Sequence, residues 1–158
     1  MAKVTAVGFD DLAKELGTLA DHAGRIASAA LYEGSGYMAD QIRHSVDNLQ
    51  TDDRKHVTNH VLDYEKEALQ QGLTIEKFTQ DKARGVTETA VTFHGYTEHK
   101  TARWPTGVPT ILLARAITKG TSFRRPNRFF PNTVNRARKT AEEIMVKKAE
   151  EEMRKDIK

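Results

Sequence analysis

The sequence predicts an α+β domain: a long N-terminal helix, a small antiparallel β-sheet, a short helix and a long C-terminal helix. Three observations carry this. Apolar residues recur in steps of three and four near the start, residues 86–96 alternate with period two, and the closing stretch returns to helical spacing under heavy charge. The chain has 158 residues, which suits a single domain, 1–158, with one core.

The first helix rests on Phe9, Leu12, Leu16, Leu19, Ala23, Ile26 and Ala30, a heptad stripe in which Leu12, Leu16, Leu19 and Ile26 read as core anchors. Asp10 and Asp11 favour its N-terminal end. Gly34-Ser35-Gly36 predicts a break or kink, after which Met38, Ile42 and Val46 continue a second helical stretch from Tyr37 to about Leu49. Thr51-Asp52-Asp53 predicts the next helix start, with Val57, Val61, Leu62, Ala68 and Leu69 as its stripe and Gly72 as its C-cap.

Leu73–Thr79 and Val86–Tyr96 are rich in Thr, Val, Ile and Phe. In the second run Thr87, Thr89, Val91 and Phe93 alternate with Glu88, Ala90, Thr92 and His94, so the two runs predict a hairpin closed by residues 81–85. Residues 98–108, with Trp104-Pro105-Thr106-Gly107, predict a loop. Pro109 or Thr110 starts a short helix that runs through Lys119 and stops at Gly120. Ser122–Phe130 reads as extended or irregular. The last helix is predicted to begin near Pro131-Asn132, with Val134, Ala137, Ala141, Ile144 or Met145, Ala149, Met153 and Ile157 on its apolar side. Residues 150–158 have little to bury and are expected to fray.

Composition limits the functions open to the chain. There are no cysteines, which removes disulfides and thiolate chemistry and fits a reducing compartment. No signal-peptide pattern stands at the start, and no run of eighteen apolar residues exists, so no membrane partner is expected. Charge is lopsided: Lys100, Arg103, Arg115, Lys119, Arg124, Arg125, Arg128, Arg136, Arg138 and Lys139 fall between His99 and Ala141 with no acid among them. The rest of the chain carries 15 basic against 22 acidic residues. Such a chain suits an anion, DNA included, or copies of itself arranged head to tail.

Chemical signatures are weak. His56-x-x-x-His60 would share a helix face, but Val57 stands where a metalloprotease has its glutamate, and two solvated histidines are the favoured reading. His94 and His99 have no evident partner. Ser28, Ser35, Ser45 and Ser122 lack a nucleophile elbow, and the glycines form no phosphate or dinucleotide loop. The acid pairs Glu142-Glu143 and Glu150-Glu151-Glu152 read as solvated beside Lys147, Lys148, Arg154 and Lys155. The expectation is no catalytic, cofactor or metal site.

The stretch Arg124-Arg125-Pro126-Asn127-Arg128-Phe129-Phe130-Pro131 carries the main signal. Its prolines stiffen a loop that holds three arginines, while Phe129 and Phe130 read as core anchors for the last helix. Arginines beside rings suit single-stranded nucleic acid; the alternative is structural, with the rings in the core and the arginines on a solvated loop, although the stiffening prolines favour a purpose beyond solubility.

"LARAITKGTS", Leu113–Ser122, followed by "RRPNRFFPNTVNRARKTAEEIM", Arg124–Met145, resembles the neck or tail-completion family of long-tailed double-stranded DNA phages. The opening "FDDLAKELGTLA" is similar to that family's usual start. The chain departs from the pattern in lacking a Pro-x-x-Thr-Gly-type segment and in having Thr118 where an acid is common, and residues 51–72 read as a helical insertion. The resemblance implies a structural virion protein at the head–tail interface, assembled in the host bacterial cytoplasm and not an enzyme. Its partners would be a homo-oligomeric ring, the adjoining neck, connector and tail proteins, and the genomic double-stranded DNA in the channel. Arg124, Arg125, Arg128, Arg136, Arg138 and Lys139 would face a neighbouring subunit or that DNA, and for Arg124, Arg125 and Arg128 bridging to protein is the favoured reading. A tail terminator capping the tail tube, or a stand-alone basic nucleic-acid-binding protein, are the alternatives.

Overall fold

The computed structural model describes residues 9–52, 59–81 and 84–156; for residues 9–16 and 18–21 it describes the backbone alone. The elements are α1 (Phe9–Asp47), α2 (Asp63–Gly72), β1 (Leu73–Ile75), β2 (Thr79–Asp81), β3 (Val86–Glu88), β4 (Val91–Phe93), α3 (Thr110–Lys119) and α4 (Phe129–Asp156). This is the expected α+β order.

Two antiparallel helices frame the fold. At 1.5 Å per residue α1 extends about 58 Å and α4 about 42 Å. Their alignment is fixed at three heights: Ser45 sits against Phe129, Gly34 against Met145, and Arg25 against Glu152. The predicted break at residues 34–36 does not occur, and α1 runs unbroken through it. Gly34 is buried, and a Cβ there would stand 2.3 Å from Met145 Cγ. The glycine therefore serves the close approach of two helices, not a turn. Ser35 spends its hydroxyl on the Tyr32 carbonyl of its own helix, at 3.3 Å.

The core lies at one end of this frame. Ile42, Val46 and Leu49 of α1 meet Val61, Leu69 of α2, Phe93 of β4, Leu113 and Ile117 of α3, and Phe129 of α4. Farther along, the α1–α4 seam is thin: Ile26, Ala30 and Ala39 of α1 and Ala137 and Ala141 of α4 are its buried apolar residues. Ile26 is thus the core anchor the heptad stripe predicts, while the side chains of Leu12, Leu16 and Leu19 lie outside the described residues.

The predicted helix start at Thr51 is replaced by extended chain. Val61 donates its N–H to the Gln50 carbonyl and accepts from Asp52, both at 3.0 Å, so the segment pairs before it coils. Residues 53–58 lie outside the described residues. α2 starts at Asp63, where Glu65 in its first turn accepts the Leu62 N–H at 2.9 Å. Gly72 is its last helical residue and not its cap, held there because a Cβ would meet the His94 carbonyl at 2.5 Å.

The hairpin forms with a fault in its middle. Leu73 pairs with Phe93 and Ile75 with Val91, then Thr79 with Glu88 and Asp81 with Val86, so Glu76–Phe78 oppose only Thr89 and Ala90. The extra residue is a bulge, pinned by the Thr89 hydroxyl donating to the Glu76 carbonyl at 2.7 Å. Beyond it the hairpin runs back along α1, where the Gln80 amide reaches the Gly24 carbonyl at 3.3 Å.

α3 ends as predicted at Gly120, whose φ of 77° sends the chain out of the helix. α4 begins at Phe129, two residues before the predicted start. Pro131 falls in its first turn, where a missing N–H costs no helical bond. The expected fraying at 150–156 is absent, because Arg25 of α1 grips Glu152 and Asp156 at 2.9 and 2.6 Å; residues 157–158 lie outside the described residues. No described helix is long and apolar enough to cross a membrane.

The two glycines of the predicted break have opposite demands. Gly36 has open space where a Cβ would go. Gly36→Ala is expected to raise stability by up to about 1 kcal/mol through helix propensity. Gly34→Val is expected to lower it by about 1–3 kcal/mol, because the added methyls must displace Met145. Thermal melts of the two variants check both signs.

Candidate functional site

The basic loop is built from the end of α3 to the start of α4. Thr121 and Arg124 exchange backbone hydrogen bonds at 2.9 and 3.3 Å, which lifts Ser122 and Phe123 to the tip of a tight turn. Phe123 is 76% exposed there. Asn127 then ties the loop down, donating its N–H to the Ile117 carbonyl and its side-chain amide to the Asn59 carbonyl.

The six predicted interface cations do not act as a set. Arg124 turns inward and pairs with Glu65 at 2.5 Å, the two side chains being only 18% and 9% exposed. It is a strut between the loop and α2, not a free interface residue, which corrects its sequence assignment. Burial raises the Tyr64 phenol above its ordinary value and Glu65 adds to this, with Arg124 opposing; the Tyr64 ring packs on His99 at 5.3 Å. Arg125 and Arg128 are exposed and have no ion pair among the described residues. Arg136 sits over a cleft between α1 and α4, its Nε 3.4 Å from the Asn132 carbonyl. Arg138 is solvated, and Lys139 makes only a loose contact with Glu143 at 3.9 Å. Of the two ring anchors, Phe129 is in the core, while Phe130 is half-buried against Phe93 and Phe129 at 5.9 and 6.3 Å.

Beside the loop, α3 leaves apolar surface in water. Thr110, Leu113, Ala114 and Ile117 face inward. Ile111 and Leu112 instead line an apolar groove of about 260 Å³ with Phe93 and Phe130, rimmed by Arg115 and Lys119. Sequence reasoning missed this groove. The available signal was a helix with six large or small apolar residues from Ile111 to Ile117, more than one buried face can use.

A surface of opposite character lies on α4. Val146 is 59% exposed, and Met153 follows two turns on. Glu142, Glu143 and Glu150 flank Val146 at helical spacing and are all exposed.

The remaining polar candidates serve the fold. Glu152 is buried and receives Arg25, Lys155 and Lys148 at 2.9, 2.7 and 3.3 Å, so not every acid of residues 150–152 faces water as expected. His22 approaches Asp156 at 3.2 Å, and His94 approaches Glu76 at 3.5 Å. His60 lies 3.8 Å from Asp52; His56 is outside the described residues. Among the described residues no group of three or more His, Asp or Glu is placed to hold a metal ion. Ser28 and Ser35 donate to carbonyls of α1. No family model matches the chain, and neither a curated protein nor a solved structure matches it.

Two outcomes are expected. Arg124→Ala leaves the buried Glu65 carboxylate without its cation and lowers stability by on the order of 3 kcal/mol. Arg125→Ala stays within about 0.5 kcal/mol of the wild type; denaturant melts separate the two. At the far end, the Lys155 hydrogen bond, with Lys148 and Arg25, holds the Glu152 carboxyl at about 2 against burial, which acts the other way. A depressed folded value means stability that is complete above the ordinary 4.5 and lost as pH falls toward 2. Hydrogen exchange at the end of α4 should therefore accelerate over that window, and Glu152→Gln should remove the dependence.

Proposed function

We propose that this chain is a ring-forming structural subunit of the phage neck, joining the DNA-filled head to the tail. The observation that carries the reading is the pairing of two unlike surfaces on one chain. The apolar groove over α3 has a basic rim, Arg115 and Lys119, and the α4 stripe sets exposed Val146 and Met153 among Glu142, Glu143 and Glu150. An amphipathic helix laid in an apolar groove is a recurrent mode of recognition. Because the two patches differ, a contact between copies is head to tail, and repetition gives a ring or a filament.

The resemblance supports the same reading, since Arg115, Lys119 and Phe130 of the groove and Glu142 and Glu143 of the stripe fall within the segments that carry it. On this reading the neighbours are second copies and adjoining neck, connector and tail proteins. Arg125 and Arg128, which have no ion pair among the described residues, bridge to acids of the next protein. Genomic DNA occupies the channel. A second reading, single-stranded nucleic-acid binding, has one observation in its favour: Phe123 stands exposed two residues from Arg125.

Sedimentation of the chain over a range of concentrations, alone and with adjoining neck proteins, is the test. Leu112→Glu and Val146→Arg are each expected to weaken association about tenfold or more with unchanged melts. Arg115→Glu with Lys119→Glu should weaken it too, and Glu142→Lys with Glu150→Lys should restore it. In the phage, Arg125→Glu with Arg128→Glu should leave filled heads and finished tails apart in micrographs. A chain that stays monomeric with every partner, yet binds single strands through Phe123, overturns the proposal.

A further inference from the structure

The hairpin leaves one strand edge without a neighbour. β1 pairs with β4 alone among the described residues. Gly72 accepts the His94 N–H and Glu76 donates to the Ala90 carbonyl, both at 2.8 Å, so the even-numbered residues of β1 face β4. By strand alternation the N–H and carbonyl of Ile75 and the carbonyl of Leu73 point the other way. No hydrogen bond reaches these groups among the described residues. An open trough of about 740 Å³ runs along this edge. It is lined by residues 71–77 in unbroken succession, with His94 and Gly95, and by no residue of β4. A cleft over one face of the strand would show every second residue instead. An unpaired edge of this kind is a template for another strand.

We propose that this edge takes residues 3–6 of a second copy as an added antiparallel strand. Residues 1–8 lie outside the described residues, and the sequence of this arm is the first argument. Lys3-Val4-Thr5-Ala6 alternates polar with apolar, as Leu73-Thr74-Ile75-Glu76 alternates apolar with polar. Leu73 and Ile75 are partly buried, while Thr74 and Glu76 are exposed, Glu76 beside His94 at 3.5 Å. Laid antiparallel, Val4 falls opposite Ile75 and Ala6 opposite Leu73, on the apolar layer. Thr5 then falls opposite Thr74, and Lys3 opposite Glu76, a cross-strand pair of opposite charge. The same register gives the outward backbone groups of Ile75 their partner at Val4. A parallel strand with its apolar residues on the same layer would carry the lysine away from Glu76. Reach decides which copy supplies the arm. Leu73 packs against the core, whose first α1 residue is Met38. That point is about 44 Å along α1 from Phe9. Eight residues fully stretched span at most about 29 Å, so the arm of the same chain falls short. The arm and the edge that receives it are different surfaces, which makes the exchange head to tail. The proposal needs a second copy, as the ring reading does, but neither the α3 groove nor the neck assignment.

The chain has no cysteine, so Thr5→Cys and Thr74→Cys each add a sole thiol. Residues opposed in a non-hydrogen-bonded antiparallel pair stand close enough for a disulfide. The two single variants, mixed in a glutathione redox buffer, should give the mixed dimer on a non-reducing gel. Every chain in the test carries Leu112→Glu, which disables the groove, so this proposal and the ring reading fail separately. Ala6→Cys in place of Thr5→Cys puts the thiol on the opposite face and should lower the yield about fivefold or more. Val4→Pro in the Thr5→Cys chain removes the N–H offered to Ile75 and should lower the yield about tenfold with an unchanged melt. Four results overturn the proposal: no mixed dimer, equal yields from Thr5→Cys and Ala6→Cys, a yield indifferent to Val4→Pro, or a cross-link closed within one chain in the Thr5→Cys, Thr74→Cys double variant.

Discussion

The close approach of α1 and α4 is the constraint on which the other features depend. Two helices of this length ordinarily hold together by large side chains along their contact, but here Ala30, Gly34, Ala137 and Ala141 make up much of it, with Met145 laid over Gly34. Small residues bring the backbones near and gain packing without much buried area. Such a seam needs fastening at both ends. The core supplies one fastening, through Ile42, Val46, Leu49 and Phe129. Arg25, Glu152 and Asp156 supply the other, with charge in place of apolar area. The outer face of α4 stays exposed around Val146 and its acids.

Arg124 plays the corresponding part for the loop. By pairing with Glu65 it fixes the chain between α3 and α4 onto α2, and Glu65 in turn holds the first turn of α2 through the Leu62 N–H. One ion pair thereby sets the position of the Phe123 turn and the outward presentation of Arg125 and Arg128. A loop ordered in advance loses less entropy on meeting a partner.

Periodicity carried most of the fold into the sequence. The heptad stripe of α1, the alternation around Val91 and Phe93, and the Pro109–Gly120 limits of α3 each arise from local rules, so they are legible locally. Gly34 was misread because glycine serves two purposes, turning a chain and admitting a neighbour, and only Met145 on a distant helix decides between them. The start of α2 was misread because Leu62 caps it without a polar side chain. The basic loop was recognised as a unit, yet its division was not: Arg124 differs from Arg125 only in having Glu65, remote in sequence, beside it. The apolar groove escaped because composition cannot say which side of α3 meets the core.

On the neck reading, the size of the groove also bears on when assembly occurs. Ile111, Leu112 and Val146 are each about half exposed. Covering what remains in water contributes together about 3 kcal/mol, at about 1.5–3 kcal/mol per fully buried side chain. Bringing two proteins together costs roughly 4–15 kcal/mol in lost freedom. A single groove contact therefore leaves two copies largely apart. Ring closure alters the balance, because each copy then makes two contacts and the last one forms within an assembly already held together. Charge pairing between Arg115 or Lys119 and Glu142 or Glu150 orients the encounter more than it tightens it. On that reading a chain with this groove would stay dispersed at low concentration and assemble once a partner ring holds several copies side by side, the order of events a joining protein requires.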